Sequence, residues 1–260
     1  MNKIQNLTDG KIFTSLIRFA LPVLLALFLQ AMYGAVDLLI VGHFGGETAD
    51  VFVSAVSTGS QIMMTLTIVI TGLAMGLTVY VGEKIGAGKR EEAGEIIGTG
   101  ISLFAVISLI VTVVMVFASS ALTKLMRAPA EAFDNTVWYV AICSAGTLFI
   151  VAYNLVGSIF RGIGDSKIPL LTVTIACVMN ILGDLLLVAV FHMGAVGAAI
   201  ATIFAQAMSV IISMFVIRKR NMPFNFSRKY IRLNSIHIKV RCEGHRPPPP
   251  QLGLHRTKRQ

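Results

Sequence analysis

Long stretches of apolar residues alternate with short polar ones along this chain. Each stretch exceeds the ~20 residues a helix needs to cross ~30 Å of hydrocarbon. The runs cover residues 12–41, 51–81, 93–117, 133–160, 168–191 and 195–217. They predict six transmembrane helices and an all-α polytopic membrane protein. A secretory signal has a similarly charged start, but its apolar part is only ~7–15 residues long. The first run is far longer and more spans follow it, so it reads as a retained helix. Thr8 or Asp9 is placed to cap it, and Pro22 is either a first-turn proline or a kink.

The polar stretches between the runs differ in charge. Residues 1–11 with Arg18, the second loop (Lys84, Lys89, Arg90), the fourth (Arg161, Lys167) and the segment after the last run (Arg218, Lys219, Arg220) are basic. The first and fifth loops, GHFGGETAD and HMG, hold no Lys or Arg, and the third sets Lys124 and Arg127 against Glu131 and Asp134. The positive-inside rule then places both ends of the bundle in the cytoplasm, with the protein multi-pass in the cell (inner) membrane. Glycines recur at close helical spacing: Gly72 with Gly76, Gly94 with Gly98, and Gly194 with Gly197. Such small residues let membrane helices approach closely, so packing is the expected role.

Composition agrees with this reading. Of the 260 residues 55% are hydrophobic and only 13% charged, against about 25% charged in a soluble domain. A net charge of +9 would suit nucleic-acid binding, but these cations flank apolar runs and fill the C-terminal segment. The membrane is the expected partner, and nucleic acid is not. Three cysteines, with Cys143 and Cys177 inside apolar runs, form no disulfide framework or metal spacing. They read as packing residues of the core or the lipid face.

The text changes near its end. Residues 218–239 read as a basic cytoplasmic linker. Residues 240–260, RCEGHRPPPPQLGLHRTKRQ in their greater part, carry four of the eight prolines in one run and no apolar period. Such a composition cannot bury a core and is expected to be disordered. It reads as foreign to the fold, through a frameshift or a premature end, in preference to a proline-rich docking motif.

Polar residues inside the runs carry the candidate chemistry. Asn180 and Asp184 lie four apart and share a helix face. A carboxylate in hydrocarbon costs at least ~2.5–3.5 kcal/mol, so it persists where it faces protein, water or an ion. Gln30, Tyr33 and Asp37 share a face of the first helix, with Asp37 a few residues before its outer end. Thr202 and Gln206 fall one to two turns into the last helix. The three sets can converge in the outer half of the bilayer. Two carboxylates, an amide and a hydroxyl give an all-oxygen donor set, suited to a hard cation such as sodium or to a carboxyl pair sharing a proton. The plainer alternatives are that Asp37 reaches water, that Thr202 bonds its own backbone, and that Gln30 and Tyr33 are ordinary interhelical bonders.

Other motifs fall away. GEKIGAGKREE has Glu83 where a phosphate-binding loop needs its first glycine and Arg90 where it needs Ser or Thr, so it reads as a turn between helices. Asp165 in RGIGDSK reads as a turn or capping residue. No nucleophile–base set or zinc spacing appears, and the protein is not read as an enzyme.

The segments FALPVLLALFLQAMYGAVDLLIVGHFG, GAGKREEA, RGIGDSKIP and MNILGD together resemble multidrug and toxic compound extrusion (MATE) transporters over residues 10–235. The resemblance implies an antiporter coupled to sodium or protons that exports cationic, amphipathic compounds by alternating access, with no tightly bound cofactor. It also implies two six-helix lobes around a cavity, and a first-lobe site at the positions of Asp37, Asn180, Asp184 and Thr202, with Tyr33 beside it. The chain has the runs of one lobe, so the expectation is a truncated transporter, with a parallel homodimer as one way to restore two lobes. The competing readings are a lipid-linked oligosaccharide flippase of related architecture and a non-transporting membrane protein that acts through contacts.

Overall fold

In lipid no water is at hand to satisfy free N–H and C=O groups, so apolar runs of this length close their hydrogen bonds within helices. A computed structural model describes residues 12–219, and over that range the runs are helical. The sequence expectations for residues 1–11, including the cap at Thr8 or Asp9, and for residues 220–260 lie outside the described residues. Helix α1 spans Ile12–Phe44, α2 Ala49–Gly86, α3 Arg90–Leu125, α4 Phe133–Ala145, α5 Thr147–Ile163, α6 Lys167–Asp184 and α7 Gly194–Lys219. Short 3-10 turns precede α2 and α4, and a π-helical turn, Leu185–Val190, continues α6.

The expected six spans need one correction. Five helices are long and apolar enough to cross a membrane, and the run 133–160 is a pair, α4 and α5, bent by 56° at Gly146. A β-carbon on Gly146 would stand 2.6 Å from Ile203 Cγ1 of α7, so glycine admits the neighbour that wedges the break. Pro22 lies well inside α1, so it is not a first-turn proline; it removes an N–H from the helix interior.

Helix α2 runs through the middle of the bundle against α3, α4 and α5, while α6 packs between α1 and α7. At 38 residues and ~1.5 Å per residue, α2 is about 57 Å long, well beyond ~30 Å of hydrocarbon. Its last turn therefore stands clear of the apolar layer. There Lys84 pairs with Glu92 of α3 at 3.1 Å, and Lys89 with the same carboxylate at 2.8 Å. The turn between α2 and α3 is the one expected from GEKIGAGKREE. Asp165 Oδ1 accepts hydrogen bonds from the N–H groups of Lys167 at 3.0 Å and Ile168 at 3.4 Å, the capping role expected of it.

Two large apolar clusters hold the helices together. One joins α2, α3 and α5 through Leu77, Phe104 and Phe160, and the other joins α1, α2, α4 and α7 through Val41, Val56, Tyr139 and Ala198. A third, around Tyr153, Ala26, Val173 and Ala176, lies between α1, α5 and α6. Outward, Leu39, Leu109 and Phe117 are largely exposed, Phe117 to 85%, a surface suited to lipid rather than water. The glycine pairs divide: Gly94 and Gly98 are buried, and Gly194 and Gly197 approach Phe52 and Leu187. Gly72 and Gly76 were expected to pack, yet they are exposed, and a β-carbon added at either would meet open space. Arg161, read from sequence as a loop charge, is the third-last residue of α5 and half-buried.

Candidate functional site

The site lies where α6 meets α1 and α7. Small residues bring α6 and α7 together: Ala195, Ala198, Ala199, Ala201 and Ala205 are all buried, and a β-carbon on Gly183 would come within 2.9 Å of Ala201 Cβ. Close backbones place side chains from both helices in one layer. Asp184 ends the α-helical part of α6, and the π-helical turn begins at the next residue, an irregularity that frequently accompanies functional sites.

Asp37, Asn180 and Asp184 are buried to 4, 1 and 0% exposure. The Asn180 Nδ2–H donates to Thr202 Oγ1 at 3.4 Å. Asp37 of α1 faces Asp184, Asn180 and Thr202 across the helix junction. One turn deeper, Tyr33 faces Gln30 and Gln206. Thus all seven residues singled out from the sequence fall in two adjoining layers.

The orphaned atoms say what the arrangement can hold. Asp37 Oδ1, Asn180 Oδ1, both Asp184 carboxyl oxygens and Gln206 Oε1 are buried with no hydrogen-bond partner. All are acceptors, and two facing carboxylates supply no donor to each other. Buried acceptors of this kind are costly unless a donor or a cation meets them. A proton shared by the carboxyls or a hard cation with oxygen ligands fits the set. Among the described residues no three His, Cys, Asp or Glu side chains converge, so the donors are those of a hard-cation site and not of a thiolate or imidazole centre.

Two aromatic residues near this site were not singled out from the sequence. Tyr139 of α4 shares a 3.1 Å hydrogen bond with Ser60 of α2 and rests on Gly59, where a β-carbon would stand 2.4 Å from its ring. It lies within electrostatic reach of Asp37. Tyr153 of α5 is buried, with a hydroxyl that makes no hydrogen bond. The available signal was a tyrosine inside an apolar run, which at both positions also suits a plain core residue. Cys143 is buried beside Tyr139, and Cys177 is half-buried.

Comparison with known proteins follows the same line. The chain is 28% identical over 227 residues to the probable multidrug resistance protein YpnP of Bacillus subtilis, covering 87% of this chain and 50% of that one. It is 24% identical over 209 residues to the probable multidrug resistance protein NorM of Thermotoga maritima, covering 79% of this chain and 44% of the relative. The chain therefore spans about half the length of the curated relatives it matches. Its fold superposes on a MOP superfamily transporter of Pyrococcus furiosus with a TM-score of 0.82 at 23% identity, covering 93% of this chain and 53% of that one. An outward-facing multidrug resistance MATE family transporter gives the same values. The family model MatE matches residues 22–186, and on that match this multi-pass membrane chain belongs to the MATE family of multidrug efflux transporters.

Proposed function

We propose that the chain provides one lobe of a cation-coupled antiporter that exports cationic, amphipathic compounds. The observation that carries this reading is the pair of buried, facing carboxyls, Asp37 and Asp184, with Asn180 and Thr202 completing an all-oxygen set. Two carboxylates in a low-dielectric layer attract a cation strongly, and sodium or a proton both satisfy them. A ligand shifts a conformational equilibrium only by its differential affinity for the two states. Export thus requires that the coupling ion favour one arrangement of the helices and the exported cation the other. The ion is cargo of the cycle, released at the end of each turn.

The distribution of charge supports an inner-membrane orientation, with Lys84, Lys89, Arg90 and Lys167 at the cytoplasmic end of the described helices. A transport cycle also needs a second six-helix half, and a second copy of this chain in parallel orientation is the partner we propose. Competition between ion and exported compound tests the reading on the chain itself. Adding tetraphenylphosphonium to the purified protein in detergent should release protons or sodium into the medium, and the D37N/D184N variant should release neither. A wild-type protein that binds tetraphenylphosphonium without releasing either ion refutes the proposal.

A further inference from the structure

The polar layers at Asp37–Asp184 and at Tyr33–Gln206 do not end the line of polar groups inside the lobe. Tyr153 of α5 lies in the next layer, among Ala26, Val173 and Ala176, 7% exposed and with an unpartnered hydroxyl. It is within electrostatic reach of Tyr33 on one side and of Arg161 on the other, and Tyr33 is within reach of Asp37. Tyr153, Gly157 and Arg161 are four apart in turn, so they line one face of α5.

Arg161 occupies the far end of this line, and its side chain points in an unusual direction. An arginine near the end of a membrane helix ordinarily extends its guanidinium outward to the headgroups. Here Nη2 donates to Ser158 Oγ at 3.0 Å, and Nη1 lies 3.5 Å from where a Gly157 β-carbon would be. The side chain therefore folds back along α5, away from the end of the helix that carries the basic RGIGDSK turn. Among the described residues Arg161 forms no ion pair. A positive charge is held inside the bundle, aimed at the column of hydroxyls and amides.

Buried polar groups without protein partners are met by water, and such a column conducts protons or small cations. In an antiporter a conducting route from the ion site straight to the inner face would dissipate the gradient without exporting anything. A fixed positive charge with low-dielectric walls blocks cations in a narrow pore. We propose that Arg161 closes the inner end of this column against cations, with the Tyr153 hydroxyl as the relay between it and the Tyr33 layer. The inference rests on the reading of Asp37 and Asp184 as the ion site.

The test is a leak measurement on the chain reconstituted in liposomes that contain a pH-sensitive dye, and it needs no second lobe. Wild-type vesicles should hold an imposed pH gradient, and Arg161→Gln should speed its collapse at least tenfold. Arg161→Lys, which keeps the charge, and Ser158→Ala, which removes only the hydrogen bond, should both stay tight. Adding Tyr153→Phe to the Gln variant should slow the leak again. Vesicles carrying Arg161→Gln that are as tight as wild type overturn the proposal, and so does a Lys variant that leaks as fast as the Gln variant. If the Gln variant fails to reconstitute, Arg161→Met, of similar length and uncharged, makes the same comparison. Combining Arg161→Gln with Asp184→Asn separates the two readings. A leak abolished by the second change supports both, whereas a leak that survives it leaves the Arg161 barrier standing and overturns Asp184 as the ion's stopping point.

Discussion

Replacing Asp184 by asparagine keeps the shape of a fully buried side chain but removes one of two facing carboxylates and supplies an N–H donor to Asp37. Two like charges about 4 Å apart repel by about 4 kcal/mol at an effective dielectric constant of 20. Desolvation of a carboxylate whose two oxygens have no partner adds to that. A cation or a shared proton relieves both costs in the wild type, and the substitution relieves them permanently. The variant should therefore be more stable than ion-free wild type by a few kcal/mol, which is roughly 5–10 °C at ~2–4 °C per kcal/mol. It should also lose the response of stability to sodium or to acidification. The buried thiol of Cys143 supplies the assay, since a thiol-reactive fluorophore labels it only as the bundle opens on heating in detergent. An Asp184→Asn variant that melts below ion-free wild type, or that still gains stability from sodium or acid as wild type does, would refute the reasoning.

Close contacts and charge give three further expectations. Gly59→Ala drives a methyl into the Tyr139 ring, 2.4 Å away, and should cost about 1–3 kcal/mol in the same melting assay, with Tyr139→Leu restoring part of the loss. Gly146→Ala should cost a similar amount by striking Ile203, at ~1–3 kcal/mol. Adding Ile203→Ala should recover most of it, and no recovery would mean that the break is not held by this contact. Cysteines placed at Gly88, in the turn between α2 and α3, and at Glu47, before α2, should react with a membrane-impermeant reagent from opposite sides. Labelling of both from one side would contradict the orientation.

Much of this architecture was legible because lipid simplifies the problem. Where backbone groups must be satisfied within the segment, a long apolar run has few alternatives to a helix. The runs that began near Ile12, Val51 and Ala93 indeed extend only a few residues further at either end. The break at Gly146 was not legible, because hydropathy runs evenly through Ala145 and Thr147 and the wedge comes from Ile203, three helices later in the sequence. Asp37, Asn180, Asp184 and Thr202 stood out because a polar side chain at membrane depth is costly, and a common depth on separate helices is readable from the spans alone. Tyr139 and Tyr153 did not stand out, because a tyrosine is buried at little cost and looks like packing. Arg161 was misplaced for a related reason: arginine near a span's end signals a loop in any charge count, and only the direction of its side chain shows that it belongs to the interior.

Ile203 follows Thr202 directly in α7, and the two neighbours look in different directions. One touches Asn180 at the carboxyl pair and the other fills the elbow between α4 and α5. A single helical turn is therefore an axle with a cam on each side. Within a rigid helix the angle between the two side chains is fixed, so a rotation that draws Thr202 toward the carboxyls also swings Ile203 across Gly146. An unbroken fourth span would resist that push as a strut along its whole length. Split into α4 and α5, it yields at the joint, and its outer half can tilt while its inner half stays clamped to α2.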